Sequence, residues 1–149
     1  LLASALGLVA TPAIAGDGAV EARLDARGIN YEIDEDGDYM ILISYKDENR
    51  TQLVFVSGAT ETIKGFVVRE VFSAAGKVKA DGVHGKAMAL LEDSRTNKLG
   101  AWEVAGDVLY YVIKLPDSVD ATQLEGAIEI AAEIADNKEI ELSGKKDEL

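Results

Sequence analysis

With 149 residues and a hydrophobic share of 48%, the chain is long enough for one domain with a substantial core and short for two. It contains no cysteine, which excludes disulfides, thiolate nucleophiles and Cys-ligated metals. A net charge of −12, with no Lys/Arg cluster to offset it, disfavours nucleic acid and anionic membrane surfaces and favours basic partners or cations.

Residues 1–15 are apolar and rich in small side chains, and they end in Ala13-Ile14-Ala15, an A-x-A cleavage pattern followed by Gly16-Asp17. They read as the remainder of a signal peptide without its charged n-region. The run is too short to span a bilayer, so no stable membrane insertion is expected once it is removed. The expected product is a single domain over residues 16–149, periplasmic or secreted, with a short charged tail. That tail spells Lys146-Asp147-Glu148-Leu149, the endoplasmic-reticulum retrieval tetrapeptide, read here as coincidence.

Residues 18–27 predict a short amphipathic helix with Val20 and Leu24 on one face, Asp17 as N-cap and Gly28 as stop. Ile29, Tyr31 and Ile33 alternate with polar residues, and residues 39–45 form a return strand after the acidic turn at 34–38. A two-residue turn at Asp36-Gly37 pairs Ile33 with Met40 and Tyr31 with Leu42. A longer loop turns Tyr39, Ile41 and Ile43 onto that face instead. Residues 46–50 read as a charged loop, 52–57 as a central strand, 66–72 as a fourth strand, 76–82 as a polar loop and 83–97 as a helix. Gly106-Asp107 then closes a hairpin that pairs Trp102 with Tyr111 and Val104 with Leu109 on a core face, continued by Ile113 and Leu115, with Glu103 and Tyr110 opposite. Val108, Tyr110 and Val112 make the other face of that strand apolar as well. Beyond Pro116, Asp120 and Gln123 form a capping box for a last helix striped by Leu124, Ala127, Ile128, Ala131, Ile134 and Ala135.

The two hairpins resemble one another, each follows a helix, and the likeness favours the two-residue register for the first. The predicted fold is α+β: an antiparallel sheet of two helix-plus-hairpin units with helices packed on one face. This order resembles the type III secretion chaperone-like fold. Leu24 with Gly28-Ile29-Asn30-Tyr31, and the run Leu90-Leu91-Glu92-Asp93-Ser94-Arg95-Thr96-Asn97-Lys98-Leu99-Gly100-Ala101-Trp102, resemble the YbjN-like bacterial family within it. The resemblance implies a small adaptor or chaperone-like module with no catalytic residues to carry over.

No motif points to catalysis. The acidic turn Asp34-Glu35-Asp36-Gly37-Asp38 has Gly at position 4 of a would-be calcium loop that needs it at 6, so a solvated turn explains it better. His84 is the only histidine, without a Gly-x-Ser-x-Gly elbow or partner ligands, and reads as a surface or capping residue. No pair among the 27 carboxylates stands out for acid–base work. No cofactor or metal is expected. Arg69-Glu70, inside an otherwise apolar strand, together with Glu103 and Tyr110, marks a candidate partner-binding face for a protein, a peptide or a second copy. The alternative is an acidic envelope protein binding a small ligand or divalent cation at the 34–38 turn, and a carboxylate-dependent hydrolase is the third reading.

Overall fold

Side chains set the starts of the first and last described helices. The computed structural model describes residues 16–144; the expected leader at 1–15 and the Lys146 to Leu149 tetrapeptide lie outside the described residues. Asp17 accepts a hydrogen bond from the Ala19 amide at 2.9 Å and opens α1 (Gly18–Ala26). Asp120 and Gln123 exchange the two bonds of a capping box at the start of α3 (Ala121–Ser143). Between them lie β1 (Glu32–Ile33), β2 (Tyr39–Tyr45), β3 (Arg50–Val56), β4 (Glu61–Ile63), β5 (Phe66–Lys77), a single 3-10 turn (Val83–Lys86), α2 (Ala87–Thr96), β6 (Ala101–Ala105) and β7 (Val108–Pro116).

The seven strands form one antiparallel sheet in the order β1-β2-β3-β5-β7-β6, with β4 hairpinned onto the start of β5. The helices cover one face: α3 lies on β3, β5 and β7, α1 packs on α3, and α2 packs on β6. Alanines 127, 131, 132 and 135 are fully or almost fully buried on α3, which lets the helix approach the sheet closely. The core beneath it is Tyr39, Ile41, Val54, Val56, Val71, Leu109, Tyr111 and Ile113.

The first hairpin departs from the two-residue register. Ile33 pairs with Tyr39 and Glu32 with Met40, across a five-residue loop closed by the Asp34 amide on the Asp38 carbonyl. The cause is local: the Asp34 carboxylate accepts from the amides of Asp36 and Asp38, at 3.0 and 2.9 Å, and holds the wider loop. Tyr39 and Ile41 therefore face the core, and Met40 and Leu42 face outward. The second hairpin has the expected register, Trp102 with Tyr111 and Val104 with Leu109.

Three further expectations are corrected. Arg50 is not in a loop: the loop stops at Asn49, which takes positive φ, and Arg50 begins β3 buried beneath α3. Its guanidinium pairs with Asp136 at 2.8 Å and Glu139 at 2.7 Å, one turn apart on that helix. The fourth strand runs on to Lys77, through a bulge between Ala74 and Gly76, and gains β4 as a partner. Val104 is 56% exposed, because the 3-10 turn and α2 stop short of the hairpin tip and leave it beside a cleft.

Candidate functional site: the outer face of the sheet

Pleating sends alternate residues of each strand away from the helices. The registers bring Met40 and Leu42 (β2), Leu53 and Phe55 (β3), Phe72 (β5) and Tyr110 and Val112 (β7) together on that outer face. Phe55 and Phe72, directly opposite one another, stack with ring centroids 5.3 Å apart and planes 11° from parallel. Tyr110 meets Phe72 edge-on at 5.8 Å. The three rings form a ridge across β3, β5 and β7, worth more than its buried area alone because each pair sits in a favourable quadrupole geometry. No described helix crosses this face.

Hollows flank the ridge. One of about 500 Å³ is lined by Tyr31, Met40, Leu42 and Leu53, and one of about 350 Å³ by Ile63, Val68, Glu70 and Lys114. Leu42 is 59% exposed and Ile63 50%, so both hollows have apolar walls open to water.

The rim is charged. Glu70 sits opposite Lys114 on the neighbouring strand, and the Lys114 ammonium lies 2.7 Å from Glu103 and 3.7 Å from Glu70. The Glu103 hydrogen bond, against some burial, holds the Lys114 ammonium above its ordinary pKa. One lysine between two glutamates leaves the rim net negative.

Of the four residues expected on a partner face, Glu70, Glu103 and Tyr110 lie together on the outer face of the sheet. Arg69 is not. A strand alternates, so the residue before Glu70 points to the helix side, where Arg69 is 2% exposed. Its guanidinium donates to Asp117 at 2.7 Å, to Asp17, and to the carbonyls of Ser57 and Gly58. Arg23 also donates to the Asp117 carboxylate, at 3.2 Å. Both aspartates are held below the ordinary carboxylate value. For Asp17 the Ala19 amide is the main cause, with Arg69 adding to it; for Asp117 burial pushes upward and is outweighed by Arg69 and Arg23. Met40, Phe55 and Phe72 were not singled out from the sequence. The signal was present as strands apolar in both phases, but nothing in the sequence says which phase the helices cover.

Two carboxylates of the 34–38 turn hold backbone amides: Asp34 as above, and Asp38 that of Gly58 at 2.9 Å. Among the described residues no group of three or more His, Asp or Glu side chains converges as metal ligands do. His84 is exposed on the 3-10 turn and lines, with Val83, Leu91 and Val104, a cleft of about 320 Å³. Among the described residues no helix is long and apolar enough to cross a membrane. No protein-family model matches this chain, and no curated protein matches it.

Proposed function

We propose that the protein is a non-catalytic, exported binding module that holds an extended polypeptide segment, alternately apolar and basic, on the outer face of its sheet. The observation that carries this reading is the Phe55–Phe72–Tyr110 ridge, an aromatic surface at the middle of a face with every described helix on its far side. Apolar anchors of a strand-like partner fill the two flanking hollows, and its basic side chains meet Glu70 and Glu103. Desolvated aromatic centres with polar rims supply most of the energy of such contacts.

Charge argues for the basic partner over a second copy. Two chains of −12 repel on approach, whereas a cationic segment is drawn in. The resemblance of the 28–31 and 90–102 stretches to the YbjN-like family points the same way, toward an adaptor or chaperone-like role. Asp17 and Asp117, which share Arg69, are both held below the ordinary carboxylate value. Acid–base pairs instead need pKa values pushed apart, so the hydrolase reading gains nothing from them.

Calorimetric titration with a synthetic peptide of about ten residues, alternating Leu or Phe with Lys, tests this reading. The Lys peptide binds, more weakly as salt rises, and the same peptide with Glu in place of Lys does not. Absence of binding by the Lys peptide overturns it. Light scattering that finds a dimer split by Leu42→Asp assigns the face to self-association instead.

A further inference from the structure

Gly16 follows directly on the Ala13-Ile14-Ala15 pattern, and its surroundings are made for something small. A Cβ there would stand 2.0 Å from Glu21 Oε1, 2.8 Å from the Tyr39 hydroxyl oxygen and 3.0 Å from Ile33 Cδ1. A backbone nitrogen lies about 2.5 Å from its residue's Cβ position, so the Gly16 nitrogen is within about 4.5 Å of that Glu21 oxygen. Glu21, half-buried in the first turn of α1, pairs with no arginine or lysine among the described residues. The Tyr39 hydroxyl divides its one hydrogen between the Asp17 carbonyl at 3.1 Å and Glu21 Oε1 at 3.4 Å, and its lone pairs can accept.

We propose that the chain is cut between Ala15 and Gly16 by an envelope peptidase, and that the α-ammonium this creates docks between Glu21 and Tyr39. Water adds across the amide: the C–N bond breaks, Ala15 leaves as a carboxylate, and the Gly16 nitrogen gains protons to become an ammonium. Before the cut this nitrogen is a neutral amide with one donor. Afterwards it carries three donors and a positive charge, which the Glu21 carboxylate and the Tyr39 oxygen are placed to receive. The positive end of α1 opposes a cation here with about half an elementary charge. The full charge of Glu21, and the Asp17 carboxylate already seated on Arg69 next door, outweigh it. Cleavage thus converts a tether into a lock that fastens α1 to β2.

Mass spectrometry of the exported protein identifies its first residue, expected to be Gly16. The processed protein is then prepared with a free and with an acetylated Gly16, each with Glu21 and with Glu21→Gln, and melted. The free amine raises Tm by about 2–4 °C over the acetylated form. Glu21→Gln removes that difference, while the exposed control Asp25→Asn keeps it. A different first residue, or equal Tm for free and acetylated protein, overturns the proposal. Neither result touches the peptide titration above, because the amine docks on the helix side of the sheet.

Discussion

Arg69 and Trp102 show what single residues do in this fold. Arg69 buries a charge and satisfies it with two carboxylates and two carbonyls, so truncation leaves Asp17 with the Ala19 amide alone and Asp117 with Arg23 alone. Arg69→Ala is expected to cost about 1.5–3 kcal/mol in urea unfolding, the range for losing hydrogen bonds to charged groups whose partners stay partly exposed. The same network sets the acid behaviour. Both aspartates have folded-state pKa values below their unfolded ones, so the unfolded chain binds protons first as the pH falls. Their contribution is whole above about pH 5 and is lost as the pH drops below about 4 through the folded values. Asp117→Asn removes one of the two, and its unfolding free energy should fall less steeply with acid than that of the wild type. Trp102 works through packing: it meets Tyr111 at 5.0 Å, and its indole N–H donates to Asp93 at 2.6 Å. Trp102→Ala should cost about 3–5 kcal/mol. Its burial was legible in the sequence as the aromatic member of an apolar hairpin face. The burial of Arg69 was not, because a charge inside a strand reads as exposure until its carboxylate partners, 48 and 52 residues away, are known.

At the scale of elements, caps, stops and the second hairpin were readable because each depends on neighbours in sequence. Asp17, Asp120 with Gln123, and the Gly106-Asp107 turn all act within a few residues. The first hairpin was readable only to within its register, since Asp34 can close a loop of five residues where Asp36-Gly37 suggests two. Likeness to the second hairpin pointed the wrong way, because likeness of strands does not carry over to the turn between them. β4 was missed for a related reason: three residues leave no alternation to read. Glycines separate the cases sharply. A Cβ at Gly58 would lie 1.9 Å from the Gly37 carbonyl oxygen, a backbone atom that cannot swing away, where the β3–β4 connection crosses the 34–38 turn. Gly126 sits inside α3 with open space around its Cβ position. Gly58→Ala should therefore destabilise by about 1–3 kcal/mol, and Gly126→Ala should stabilise by about 1 kcal/mol, both read from denaturant midpoints.

For the whole molecule, the α+β class and the helices on one face followed from periodicity, because a helix stripe and a strand face each need a partner to bury them. What periodicity could not supply was the identity of the uncovered face. Strands β2, β3, β5 and β7 are apolar in both phases, and the wide turn at 34–38 decides that Met40 and Leu42 join the outside. That face, with its aromatic ridge and net negative rim, is where the proposed polypeptide partner binds. The most direct test is the dissociation constant of the Leu/Phe–Lys peptide for the wild type, Phe72→Ser and Leu42→Asp, with each melt recorded to show the fold intact. At least a tenfold weakening is expected in Phe72→Ser, about 1.4 kcal/mol or more for the ridge's central ring, and a measurable loss in Leu42→Asp. Unchanged affinity in both folded variants would contradict binding at this face.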